Sequence, residues 1–99
     1  MARFDIFQNE NGVGYLLDIQ SDLLSSLNTR VVVPLLPKSF APFPAQRLNP
    51  VFILDDQALV MATQYMAAVP ERELRTNVGR LVEHQDEISA ALDMLFLGF

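Results

Sequence analysis

The chain has 99 residues, 51% of them hydrophobic and 19% charged, with no cysteine and a formal charge of −5. Half-apolar composition with so little charge excludes a disordered tail, and the missing cysteines exclude disulfides, thiolate metal sites and a cysteine nucleophile. Seven Lys and Arg against twelve Asp and Glu give no basic patch for phosphates, so direct nucleic-acid binding is disfavoured and a partner of basic character is favoured.

A chain of this length is expected to form one domain over residues 1–99, and its apolar richness favours a homodimer. Asp5 and the polar run 8–10 interrupt any leader-like segment, and no apolar stretch approaches the roughly 18 residues of a membrane span. A soluble, cytoplasmic protein is therefore expected.

The first element is a strand over "RFDIF" (3–7), ended by the turn-rich "QNENG" (8–12), with "VGYLLDI" (13–19) as its hairpin partner. "QSDLLSSLNT" (20–29) reads as a loop with at most one short helical turn. "RVVVPLL" (30–36) is β-branched enough for a strand, and Pro34, which has no N–H, places it on a sheet edge or at a bulge. Four of the six prolines, Pro37, Pro42, Pro44 and Pro50, fall between 37 and 50. That stretch reads as an irregular loop, pinned to the body by the buried rings of Phe40 and Phe43.

"VFILDDQALVMATQYMA" (51–67) reads as a second hairpin turning at 55–57, and 67–74 leads out through Pro70. The stretch 80–97 carries the strong helical signal, with Leu81, Ile88, Leu92, Leu95 and Phe99 on one face. Glu83, Asp86 and Glu87 suit the positive end of its dipole. The expected architecture is mainly β, with five or more antiparallel strands and one C-terminal helix covering one opening or face.

Chemistry-bearing residues are sparse. His84, the single histidine, lacks metal-ligand spacing to Asp86 or Glu87 and reads as a solvated side chain in the helix's first turn. The pairs Asp55–Asp56 and Glu71/Glu73 read as turn and surface carboxylates, and Gly12 and Gly14 precede no helix. No catalytic residue, metal site or cofactor is assigned. Met61, Met66 and Met94 read as core fillers. A second helix face of Ala90, Asp93, Met94 and Leu97 either docks a partner helix or a second copy of the chain, or packs on the Pro-rich loop.

Five stretches taken together resemble the CcdB family: "DIQSDLL" (18–24), "RVVVPL" (30–35), "RLNPVF" (47–52), "ATQYMAAVP" (62–70) and "HQDEISAALDMLFLGF" (84–99). They follow the family's order and spacing across nearly the whole chain. The resemblance implies a small antiparallel SH3-like barrel with a small extra sheet and a long C-terminal helix, assembled as a homodimer. It implies a non-enzymatic toxin that binds the A subunit of DNA gyrase and traps the enzyme on cleaved DNA. A CcdA-like antitoxin with a disordered tail would neutralise it.

Carried over residue by residue, the gyrase contact would comprise Ser21, Leu23 and Leu24 upstream, Asp86, Ala90 and Asp93 on the helix, and Leu97, Gly98 and Phe99 at its tip. The family's tripeptide at the tip is Trp-Gly-Ile, so Leu97 stands in place of the Trp. Antitoxin contacts would fall on Leu23, Leu24, Asp93, Phe96 and Leu97. Leu92, Leu95 and Phe96 would hold the helix to the barrel. Two alternatives remain at this stage. One is an endoribonuclease of the MazF/Kid type drawing on Arg3, Arg30 and His84. The other is a dimeric, toxin-derived module that captures antitoxin without acting on gyrase.

Overall fold

A computed structural model describes residues 1–99. Seven strands form one antiparallel sheet: β1 (Asp5–Gln8), β2 (Tyr15–Asp18), β3 (Thr29–Pro37), β4 (Val51–Leu54), β5 (Gln57–Met61), β6 (Ala67–Pro70) and β7 (Asn77–Arg80). Their order is β4-β5-β3-β2-β1-β7, with β6 paired to β3 off this path. The sheet curls into a half-barrel, and a single helix, α1 (Gln85–Leu97), follows it.

Alternation of side chains builds the core. Ile6 lies opposite Leu17, and Leu17 opposite Val33, so three fully buried residues form one row across β1, β2 and β3. Leu35, Phe52, Leu59 and Met61 extend that face, and Leu81, Ile88 and Ala91 close it from the helix side. The reverse face carries a smaller cluster of Phe7, Val32 and Leu74. β3 therefore buries apolar residues on both faces, which is why its sequence reads as an unbroken β-branched run.

Pro34 is not on an edge. β3 is the central strand and pairs with three others: β2 along one side, and β6 then β5 along the other. Pro34 lies where that second side passes from β6, which ends opposite Val32, to β5, which begins opposite Leu35. Its carbonyl accepts from Ala62 N at 2.9 Å. The missing N–H falls at the junction between two partners, so a central strand tolerates it.

The β4–β5 hairpin turns on Asp55 and Asp56, with φ of 50° and 66°. Two left-handed residues in a two-residue loop match the right-handed twist of the flanking strands, and Asp tolerates that conformation. The hairpin ends at Met61 and not at residue 67, because Thr63–Tyr65 form a 3₁₀ turn before β6. β6 and β7 are strands that local pattern did not disclose. In the β1–β2 hairpin, Gly14 (φ +79°) packs so closely that a Cβ there would lie 2.2 Å from the Leu35 carbonyl oxygen.

The Pro-rich loop is anchored by polar atoms, and the expectation for its phenylalanines is overturned. Phe43 is 95% exposed and Phe40 is also exposed. Asn49, itself buried, holds the loop instead: its Nδ2 donates to Met61 O (2.9 Å) and Gln64 Oε1 (2.7 Å), and its Oδ1 accepts from Ala45 N (3.0 Å). Thr63 Oγ1 donates to Leu48 O at 2.5 Å. Both rings are left facing water, and one amide satisfies three groups at the loop's base. Asn49→Ala should lower unfolding free energy by about 1–3 kcal/mol through the partners left unsatisfied. Phe43→Ala should change it by less than about 0.5 kcal/mol. Urea unfolding of both variants checks the contrast.

The helix begins later than its periodicity predicts. Arg80 ends β7 and Val82–His84 form a 3₁₀ turn, so α1 starts at Gln85. Its buried residues are Ile88 and Ala91, with Leu92 half-buried beside them. Leu95 and Phe99, expected on the core face, are exposed. The buried stripe of α1 runs through Ile88, Ala91 and Leu92 and does not take in Leu95.

Candidate functional site

The residues assigned to partner contact occupy two places. Leu23 and Leu24 belong to a 3₁₀ turn, Asp22–Leu24, after β2, and Ser21 caps its start. Asp86, Ala90, Asp93, Phe96 and Leu97 lie along α1, with Gly98 and Phe99 just beyond. The helix packs on the Thr63–Tyr65 turn and on the 3₁₀ turn that leads into it.

The helix tip is apolar and open. Phe96 is 67% exposed, Leu97 also stands out, and Phe99 is 74% exposed. Contrary to expectation, Phe96 does not hold the helix to the barrel, and Leu95 contributes little to that contact. Leu92 alone of the three packs against the core. Gly98 caps the helix in the left-handed region (φ 82°, ψ 10°), and its N–H donates to Asp93 O and Met94 O, both at 3.2 Å. That αL residue ends the helix and redirects the chain at Phe99.

Charge along the helix is one-sided. Glu83, Asp86, Glu87 and Asp93 are exposed, and no Lys or Arg occurs from residue 81 to 99. His84 Nδ1 is 3.2 Å from Glu87 Oε1, and its ring lies 5.0 Å from that of Phe52. His84 is thus part packing residue, part helix-start residue. Arg3 and Arg30, the other basic groups that an RNA-cleaving site would recruit, are each engaged with other partners.

The burial of Arg30 against Asp18 is the feature that sequence reading missed. Its side chain is 1% exposed, and its Nε and Nη2 both donate to Asp18 Oδ2, at 3.0 and 2.6 Å. Burial pushes the Asp18 carboxyl up from its ordinary value, against the pull of the Arg30 hydrogen bond and of the Gln20 N–H. Asp18 Oδ1 accepts from Gln20 N at 3.0 Å. The Gln20 side chain accepts from Val31 N (3.0 Å) and donates to Leu24 O (3.2 Å). Arg3 donates through Nε to Ile19 O, stacks its guanidinium 4.7 Å over the Phe4 ring, and gives its backbone N–H to Asp22 Oδ1 at 2.9 Å. One signal in the sequence was available: a lone Arg opening a β-branched run, with an Asp near the end of the preceding strand.

A separate cleft at Glu10, Asn11, Arg72, Glu73 and Arg75 has only polar and charged walls. Those walls pair with each other, Asn11 Nδ2 with Glu73 at 3.3 Å and Arg75 with Glu10 at 3.8 Å.

Comparison with known proteins places these features in a family. A family model described as "CcdB protein" matches residues 3–98. Similar solved structures include an endoribonuclease from a mycobacterial species (15% identity, TM-score 0.77, covering 100% of this chain and 94% of that one). Another is an endoribonuclease in complex with its cognate antitoxin, also mycobacterial (16%, 0.76, covering 100% and 98%). A third is the Mycobacterium tuberculosis toxin MazF-mt6 (14%, 0.76, covering 95% and 96%). Identities this low carry the fold and nothing further.

Proposed function

The chain belongs to the CcdB family of toxins, and from that premise we propose that it poisons DNA gyrase without catalysing a reaction of its own. In this reading it is the toxin of a bacterial type II toxin–antitoxin system. It binds the gyrase A subunit and traps the gyrase–DNA cleavage complex. A CcdA-like antitoxin with a disordered tail neutralises it.

The observation that carries the proposal is the helix tip. Phe96, Leu97 and Phe99 are exposed together on a helix end whose direction is fixed by Gly98. Apolar side chains concentrated at one exposed point mark a protein-binding surface. Leu23 and Leu24, also exposed, supply a second contact beside Ser21, while Asp86, Ala90 and Asp93 add polar and small-residue surface along the helix. The antitoxin tail would use Leu23, Leu24, Asp93, Phe96 and Leu97, and so compete with gyrase. A related fold that binds a cognate antitoxin supports that partnership.

We take the working unit to be a homodimer of one 1–99 domain, paired so that two tips act together, and its place to be the cytoplasm, where gyrase and antitoxin are found. No helix is long and apolar enough to cross a membrane.

Purified protein incubated with supercoiled DNA and its host's gyrase should yield linear DNA once denaturant and protease are added. Intact protein that never yields cleaved DNA would sink the proposal. The same preparation incubated with RNA tests the endoribonuclease alternative. That alternative rests on fold likeness alone, since Arg30 is buried against Asp18 and Arg3 is bonded to Ile19 O. Expression in the host without antitoxin tests the harmless-module alternative, which arrested growth would exclude.

A further inference from the structure

Leu23 is 93% exposed, at the tip of a turn only three residues long. A side chain placed this way follows every movement of its turn, and short turns on a surface are mobile unless tied down. This one is tied three times. Ser21 Oγ accepts from Leu23 N at 3.2 Å, closing the turn on itself. Asp22 Oδ1 accepts from Arg3 N at 2.9 Å, fixing the turn to the strand-entry segment 19 residues earlier. Leu24 O accepts from Gln20 Nε2 at 3.2 Å.

Gln20 is itself buried and immobilised, by Asp18 Oδ1 on its N–H and by Val31 N on its side-chain oxygen. Asp18 is held in turn by the buried guanidinium of Arg30, whose Nη2 also lies 4.0 Å from Asp22. A continuous set of hydrogen bonds thus runs from a fully buried ion pair to an exposed leucine. Buried ion pairs of this kind add little net stability compared with well-packed apolar residues, so their contribution here is geometric.

We propose that Gln20 and Asp22 are positioning residues. They hold the Asp22–Leu24 turn in its binding conformation, so that Leu23 meets its protein partner already ordered. The inference rests on reading this turn as a gyrase contact, as above. Its energetic logic is pre-organisation: ordering a loop during association weakens binding by the entropy lost at that moment.

The test uses amide exchange on the full-length protein alone and titration with the host's gyrase A subunit. Asp22 is a surface residue, so Asp22→Ala keeps the core intact. It should speed exchange at Leu23 and Leu24 and weaken gyrase binding by about tenfold, a small share of the ordering cost of three residues. Asp22→Asn keeps an acceptor for Arg3 N and should restore both. Gln20→Ala should act in the same direction, with some loss of melting temperature. In a Leu23→Ala background, Asp22→Ala should cost less than about twofold, because its effect is exerted through Leu23. Unchanged exchange at Leu23 and Leu24, or additive losses in the double variant, would overturn the inference. If the wild type fails to bind gyrase, the contact reading fails separately, and the exchange data still decide whether Gln20 and Asp22 hold the turn.

Discussion

Deleting Leu97, Gly98 and Phe99 is expected to abolish gyrase-dependent DNA cleavage, with affinity for the gyrase A subunit falling by about 100-fold or more. The midpoint of thermal unfolding should move by only a few degrees. Both expectations follow from the same geometry. All three residues are exposed, and beyond the helix's own backbone ladder their tie to the fold is the pair of Gly98 N–H bonds that cap it. The core-facing part of α1, at Ile88, Ala91 and Leu92, lies at least one full turn earlier. Their loss therefore removes contact surface without opening the barrel. Two apolar anchors burying most of their surface in a partner account for a loss of that size, at about 1.5–3 kcal/mol each. Linear DNA formed as efficiently by the truncated protein as by the intact one would refute this assignment of the tip. A truncated protein that has lost its cooperative unfolding would show instead that the tip belongs to the fold.

Arg30→Met is expected to be the most damaging single substitution in the barrel, at about 3–5 kcal/mol. It leaves the Asp18 carboxylate, fully buried, with only the Gln20 N–H for company. The double variant Asp18→Asn/Arg30→Met should recover more than half of that loss, since Asn keeps the acceptor for Gln20 N and carries no charge. Urea unfolding of the wild type and the two variants is the measurement. A single variant as stable as the wild type would mean that the pair is not what organises this end of the barrel. The pH dependence has a definite sign. Burial raises the Asp18 carboxyl, so the folded state holds that proton more readily than the unfolded chain. The stability this group contributes is therefore fully present at low pH. It is lost as pH rises from the ordinary carboxylate value through the raised one. Without Arg30 the rise is larger, so Arg30→Met should be relatively less destabilised in mild acid than at neutrality.

Neither experiment would have been designed in the same form from local pattern. The Asp55–Asp56 turn, the apolar rows of β1, β2 and β3 and the helix over most of 80–97 are readable because each depends on residues within a few positions of one another. The family resemblance is readable for a related reason, since it lies in ordered stretches of chain. It assigned partner contacts to residues most of which the fold leaves exposed, including the 21–24 turn and the helix tip. It also suggested jobs for Leu95 and Phe96 that the packing does not support.

What sequence determined by itself is therefore the set of residues able to be buried, the turns that join them, and an apolar surplus at the helix tip. Only the tertiary structure decided which of the candidates are used. Pro34 stays in the central strand because two partner strands meet beside it. Ala91 is buried and Leu95 exposed because the buried stripe of α1 follows Ile88, Ala91 and Leu92 onto the core cluster. Asn49 holds the loop while Phe40 and Phe43 face water, and Arg30 disappears beneath the turn that carries Leu23. Each of these depends on pairings between residues a dozen or more positions apart. Hydrophobicity and propensity describe what a segment can do alone. Burial depends on what the rest of the chain brings against it.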